Sequence, residues 1–173
     1  MLGNTKAGKT TSAQYLTNQI LVGYKQGVDR IFYKIQESKH KAAEIGENER
    51  VSKTQIPNLF EIQMGDLSKS KIGSAKKKSY LIDCPGYIDT YGCYRIISNK
   101  FFHNLVFSKV EKMKFVLTWS FNDMDKACIL MLSTFKEFLK GFRKFSQVKE
   151  DIFAATSIMI TSVPSHLNKQ QVL

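Results

Sequence analysis

The hydrophobic positions of the chain follow two periods, that of strands and that of helices. Leu59 to Met64 alternates apolar and polar residues as a half-buried strand does, and Tyr80 to Ile82 is a second strand, which ends at Asp83. We expect these two runs to pair as a hairpin with a long solvated loop between them. Phe115 to Trp119 and Ser157 to Thr161 are short, mostly apolar runs, which predict buried strands.

Helical spacing predicts the other elements. The opening loop leads into a helix with Ala13, Leu16 and Ile20 on one face, and the apolar pairs after Gly92 predict a second helix. Residues 125–145 carry a broad apolar stripe, which predicts a further helix, and its aromatic part, Phe135 to Phe145, is expected to pack in the core.

A polar stretch, residues 24–56, separates the opening helix from the predicted hairpin. Its charged residues show only weak periodicity, so we expect a long, mobile connection there, with a short helix as the alternative. Strands that alternate with helices elsewhere in the chain predict an α/β fold with a mostly parallel sheet.

Composition places the chain among single globular domains. Hydrophobic residues make up 43% of its 173 residues, which is enough for one core, and we assign residues 1–173 to one domain. No apolar run is long enough to span a bilayer, and the first 20 residues lack the apolar block of a signal peptide, so we expect a soluble cytoplasmic protein. The three cysteines lack the spacing of a zinc site or of a disulfide framework.

The chain is strongly basic, with 26 lysine and arginine residues against 15 aspartate and glutamate residues and a formal net charge of +11. Such a charge suits anionic partners, from nucleotide phosphates to nucleic acid or acidic lipid. Because no nucleic-acid recognition motif accompanies it, we predict no nucleic-acid partner. His40, His103 and His166 share no spacing with a serine or cysteine nucleophile, and we assign them to the surface or to helix flanks.

The strongest chemical signal is the segment Gly3-Asn4-Thr5-Lys6-Ala7-Gly8-Lys9-Thr10, which matches the G-x-x-x-x-G-K-[ST] pattern of phosphate-binding loops. Its glycines allow backbone amides to turn inward around phosphates, while Lys9 neutralises the β and γ oxygens. We expect the hydroxyl of Thr10 to bind Mg²⁺ at the positive end of the following helix. The pattern therefore predicts a Mg²⁺-dependent nucleotide site.

A second, acidic element fits the same chemistry. Asp83 ends a strand and stands three residues before Gly86, as in the D-x-x-G motif, in which the carboxylate reaches Mg²⁺ and the glycine amide senses the γ-phosphate. Because a phosphate-binding loop precedes it in the sequence, we prefer this role to that of an aspartate in an ordinary turn.

These two motifs resemble the first and third motifs of the G domains of P-loop GTPases. The D-x-P-G form and the following Tyr87-Ile88-Asp89-Thr90 are more similar to septin-type and AIG1-type GTPases than to Ras-type ones. The resemblance spans residues 3–163 and implies a three-layer fold, a mixed sheet with one antiparallel edge strand, and a homodimer that pairs across the nucleotide faces. It also implies a switch threonine for Mg²⁺ and γ-phosphate, for which Thr54 lies in the right interval.

The chain departs from that family in three places. Tyr87 stands where Ras-type enzymes carry a water-orienting glutamine, so we expect slow intrinsic hydrolysis. Thr161-Ser162-Val163-Pro164 replaces the guanine-reading [NT]-K-x-D motif, so no base-reading residue supports GTP over ATP. Only Met1 and Leu2 precede Gly3, so the strand that launches the loop is largely missing, and we expect a domain incomplete at both ends.

From the residues and the resemblance together we expect a GTP-binding protein that acts as a switch or assembly module, with Mg²⁺ as cofactor and a guanine nucleotide as partner. Two alternatives stay open: an ATP-binding P-loop protein, and a degenerate G-like interaction module without turnover. The predicted nucleotide-binding residues are Gly3, Asn4, Thr5, Lys6, Ala7, Gly8, Lys9, Thr10, Thr11 and Gly86. The predicted metal ligands are Thr10, Thr54 and Asp83. No catalytic residue is assigned.

Overall fold

A computed structural model of the chain describes residues 1–17, 21–25, 31–35, 54–62, 79–87, 92–122 and 128–164. The strands are β1 (Leu2–Gly3), β2 (Leu21–Lys25), β3 (Ile31–Ile35), β4 (Asn58–Ile62), β5 (Ser79–Asp83), β6 (Phe115–Ser120) and β7 (Thr156–Thr161). The helices are α1 (Lys9–Leu16), α2 (Cys93–Lys109), α3 (Cys128–Lys140) and α4 (Phe145–Ala154).

Parallel pairing dominates the central sheet, in which β6 lies between β1 and β7. β1 is two residues long, and its Leu2 aligns with Leu117 of β6. On the other side of β1, the Met1 amino group donates to the Ile82 carbonyl, and the Cys84 amide donates to the Met1 carbonyl at 3.2 Å. That alternation is the hydrogen-bond pattern of parallel neighbours, so the end of β5 continues the sheet beside β1.

The predicted hairpin is confirmed. β4 pairs with β5 in antiparallel register, with Leu59 opposite Ile82 and Phe60 opposite Leu81. Because β5 also runs beside β1, the antiparallel strand β4 stands at one end of an otherwise parallel arrangement. The α/β prediction with a mostly parallel sheet therefore holds for the described residues.

Side chains on the two faces of the sheet build two separate cores, since alternate residues of a strand point to opposite faces. Leu117 packs in a buried cluster with Phe138 of α3 and Ile152 of α4. Met1 packs in the other cluster with Ala13 of α1. Helices thus cover both faces of the sheet. The loop between β1 and α1 begins at the carboxyl end of the parallel strand β1.

The expected long connection at residues 24–56 is wrong in part. β2 and β3 form an antiparallel hairpin, with Leu21 opposite Ile35, at the start of this stretch. The sequence Ile-Phe-Tyr-Lys-Ile of β3 is rich in β-branched and aromatic residues, which favour strands and were the available signal. The alternative of a short helix, over residues 39–50, lies outside the described residues.

The single helix expected over residues 125–145 is two helices. α3 ends at Lys140, where the Gly141 amide donates to the Phe138 carbonyl at 3.1 Å and closes a tight turn. A Cβ at position 141 would lie 2.9 Å from the Phe107 ring, so glycine allows α2 to pack closely against this turn. The aromatic stripe is core, as predicted: Phe138 is fully buried.

The opening helix is confirmed, but its buried face differs from the prediction. Ala13 is fully buried, whereas Leu16 is 47% exposed, and Ile20 lies outside the described residues. Among the helices that the structure describes, none combines the length and the apolar character needed to cross a bilayer.

Candidate functional site

The segment between β1 and α1 forms a tight loop at the start of the helix. Gly8 precedes α1 with φ 77°, and Lys6 has φ 70°, so both lie in the left-handed region that glycine adopts most readily. The Ala7 amide donates to the Asn4 carbonyl at 3.3 Å, which closes the turn. The N-cap residue, Gly8, has no side chain with which to cap α1, so the helix start presents its backbone donors to the loop.

Lys9, the first residue of α1, is the charged group enclosed by this loop. Its side chain is buried, and its ammonium donates to the Asn4 carbonyl at 2.6 Å. Asn4 is held in turn by α3, because the Thr134 hydroxyl donates to the Asn4 side-chain oxygen at 2.5 Å. A positive charge beside the amides of a helix start is an arrangement that binds phosphate.

Three oxygen-bearing side chains from distant parts of the chain meet at the start of α1. The Thr10 hydroxyl donates to an Asp83 carboxylate oxygen at 2.6 Å. The Thr54 hydroxyl lies 3.1 Å from the Thr10 hydroxyl and 3.4 Å from the same carboxylate oxygen. The structure therefore brings together all three predicted metal ligands, from α1, from the segment before β4 and from the end of β5.

The chemistry of this trio fits Mg²⁺. Asp83 is fully buried, and its second carboxylate oxygen has no hydrogen-bond partner among the described residues. Burial raises the pKa of Asp83, although the Thr10 hydrogen bond and the positive charge of Lys9 oppose the shift. Hydroxyl and carboxylate oxygens are ligands that Mg²⁺ accepts, and a divalent cation would neutralise the buried charge. Within the described ranges, no cluster of three or more histidine, cysteine, aspartate or glutamate side chains offers another metal site.

The turn after β5 lies directly against the loop. A Cβ at Gly86 would lie 2.6 Å from the Thr5 amide nitrogen, so a side chain at this position would displace the loop. The Tyr87 amide donates to the Gly3 carbonyl at 3.2 Å. Gly86 is therefore in contact with the loop between β1 and α1.

Two α2 residues that the sequence reasoning missed hold this turn from the other side. The Asn99 side-chain amide donates to the Gly86 carbonyl at 2.8 Å, and His103 Nε2 lies 3.0 Å from the Pro85 carbonyl. The assignment of His103 to the surface was wrong, because only 4% of it is exposed. Their four-residue spacing places both on one face of a helix, which was the available signal. His40 and His166 lie outside the described residues.

The burial of His103 predicts a pH-dependent stability. Burial lowers the pKa of His103 from 6.5 to about 4, although the hydrogen bond to Pro85 opposes the shift. Since the folded form resists protonation, the stabilising contribution is complete above pH 6.5 and is lost as the pH falls toward 4. We expect the thermal midpoint, measured by circular dichroism, to decrease as the pH is lowered from 6.5 to about 4. The decrease should be smaller in His103→Gln. Equal pH profiles for the two proteins would contradict this assignment.

The remaining predicted positions are less informative. Thr11 lies in the first turn of α1 and is partly buried. Tyr87 is buried, its ring centre lies 4.4 Å from that of His103, and its hydroxyl has no partner among the described residues, so it contributes packing. At the end of β7, the Thr161 hydroxyl donates to the Ala7 carbonyl at 2.8 Å. The segment from Thr161 to Pro164, which differs from the guanine-reading motif of G domains, therefore begins beside the loop.

Comparison of the chain with protein-family models, with curated proteins and with solved structures gives no match.

Proposed function

We propose that this chain is a G-domain-like P-loop protein that binds a guanine nucleoside triphosphate together with Mg²⁺. The observation that carries the proposal is the meeting of Thr10, Thr54 and Asp83 at the start of α1, beside the buried ammonium of Lys9. Separate parts of the chain supply these groups, and each group has the type that its role requires.

Each part of the site has a separate task in this proposal. The amides of the loop and the start of α1 bind phosphate oxygens, and Lys9 neutralises their charge. Thr10, Thr54 and Asp83 hold Mg²⁺, which screens the phosphate charges when it is bound. The Gly86 amide senses the γ-phosphate, and its contacts with Thr5 and Asn99 link that event to the loop and to α2.

Nucleotide binding is better supported than hydrolysis. The residue after the D-x-x-G motif is Tyr87, whose side chain is buried in the core and has no amide with which to orient a water molecule. We therefore propose slow turnover and a switch or assembly role. The preference for guanine and the homodimer across the nucleotide faces rest on the resemblance to G domains.

Calorimetric titration of the full chain with Mg²⁺-GTP and Mg²⁺-ATP tests the proposal. We expect GTP to bind, ATP to bind at least about tenfold more weakly, and GTP affinity to fall when EDTA replaces Mg²⁺. Equal affinities would favour a general P-loop NTPase. A chain that is folded by circular dichroism and binds neither nucleotide would overturn the proposal in favour of an interaction module.

A further inference from the structure

The outer face of α2 carries an apolar stripe that the nucleotide site does not use. Its residues are Tyr94, Ile97, Phe101 and Leu105, which are 63%, 67%, 61% and 41% exposed. With about 100° per residue, these positions fall within a sector of about 80° around the helix axis. The opposite face of the same helix carries the buried Asn99 and His103. The stripe therefore points away from the domain.

The charges beside this stripe are basic. The sequence of α2 contains Arg95, Lys100 and Lys109 and no aspartate or glutamate. Arg95 Nε donates to the Tyr94 hydroxyl at 3.2 Å, at one end of the stripe. Lys100 pairs with Glu137 at 3.0 Å, and Glu137 also pairs with Lys140 at 2.7 Å, so this group of three keeps one net positive charge.

The shape of the stripe suits a deformable apolar phase better than a rigid partner. It lies along one side of a single helix, and the flanking positions on α2 include the exposed, polar Lys100 and Asn104 on one side and Lys109 on the other. A partner helix would need an apolar groove, whereas a lipid interface closes around a convex ridge. A second copy of the chain would bring two basic flanks, each on a molecule of net charge +11, against each other.

We propose that the outer face of α2 is a contact surface for anionic membranes. Tyr94, Ile97, Phe101 and Leu105 insert at the boundary between headgroups and acyl chains. The ammonium groups of Lys109 and Lys100, each at the end of a flexible aliphatic stem, reach the lipid phosphates. This inference does not depend on the proposed nucleotide binding, because none of the four stripe residues belongs to the proposed nucleotide site.

Co-sedimentation of the full chain with vesicles, without nucleotide, tests the inference. We expect binding to phosphatidylcholine vesicles that contain about 30% phosphatidylserine, and little binding to phosphatidylcholine alone. Raising the salt to roughly 0.5 M should weaken the binding, because the Debye length shortens. Equal binding to both vesicle types, or none to either, would overturn the proposal.

A pair of substitutions locates the contact. Ile97→Ser with Phe101→Ser keeps every charge and should lower vesicle affinity about tenfold or more. The matched control, Leu59→Ser with Ile158→Ser, removes two exposed apolar side chains, each 58% exposed, from the strands and should leave the affinity unchanged. Circular dichroism checks that both proteins are folded. Equal affinities of the two double variants would refute the assignment to α2.

An independent measurement guards against indirect effects of the serines. In Tyr94→Trp, we expect the new indole emission to shift to shorter wavelength with anionic vesicles and to be quenched by brominated lipid, while the buried Trp119 contributes a constant signal. An unchanged emission would contradict insertion. Sedimentation velocity without vesicles tests the other occupant: a dimer that Ile97→Ser with Phe101→Ser dissociates would assign the face to a second copy and overturn the membrane proposal.

Discussion

Replacing Lys9 with alanine is expected to weaken Mg²⁺-GTP binding about 100-fold, which corresponds to about 3 kcal/mol, the range for removal of one partner of a buried charge contact. The physical reason is the position of the ammonium, which is buried inside the loop and 2.6 Å from the Asn4 carbonyl. Without it, the phosphates lose a buried ammonium and are bound chiefly by amide dipoles and Mg²⁺. Calorimetric titration of the variant against the unmodified chain measures the loss.

The control for this experiment is a lysine of the same charge outside the site. Lys136 is exposed on α3, and Lys136→Ala should bind Mg²⁺-GTP as the unmodified chain does. Because Lys9 also closes the loop, the thermal midpoint of Lys9→Ala should be measured by circular dichroism beside the titration. A folded Lys9→Ala protein that binds with unchanged affinity would remove the loop from the nucleotide site.

Asp83→Asn should change affinity and stability in opposite directions. The asparagine keeps the shape of the side chain but removes the negative charge that is proposed to bind Mg²⁺. In the presence of Mg²⁺, the GTP affinity of the variant should therefore be about tenfold or more lower than that of the unmodified chain. It should match the affinity of the unmodified chain in EDTA. In EDTA the variant should unfold at a higher temperature. Burial disfavours the charged form of Asp83 and raises its pKa, and one of its carboxylate oxygens has no hydrogen-bond partner among the described residues.

Thermal unfolding with and without Mg²⁺, beside calorimetry, separates the two effects. Glu150→Gln is the matched control, because it removes a carboxylate that is 84% exposed on α4. It should change neither the affinity nor the thermal midpoint. If Asp83→Asn keeps the Mg²⁺ dependence of GTP binding, Asp83 is not a ligand. If it instead lowers the thermal midpoint in EDTA, the buried carboxylate has a structural role that outweighs its burial cost.

The site divides into a part that the sequence predicted and a part that it did not. The loop from Gly3 to Thr10 is local, and its pattern reflects what the backbone must do within a few residues. Asp83 and Gly86 follow from a strand pattern and a three-residue spacing in the same way. Thr54 was predicted from an interval that the G-domain resemblance implies, and the structure places its hydroxyl 3.1 Å from that of Thr10.

The errors in the fold arose where periodicity was weak or interrupted. The β3 sequence lies in a stretch that is polar overall, so its short apolar run does not stand out from the surrounding charged residues. The aromatic stripe continues across Gly141, so periodicity alone predicts one uninterrupted helix. The end of the helix before Gly141 depends on the close packing of α2 against that glycine.

By itself, the sequence determined the elements whose cause is local: the α/β alternation, the hairpin of β4 and β5, and the loop with its lysine. Only the tertiary structure decided which polar side chains hold the site. Asn99, His103 and Thr134 lie on helices far along the chain from the groups that they contact. Periodicity reports that a residue faces the core, but the hydrogen-bond partner of a buried polar group depends on which elements meet there. That meeting is decided by the packing of the whole domain.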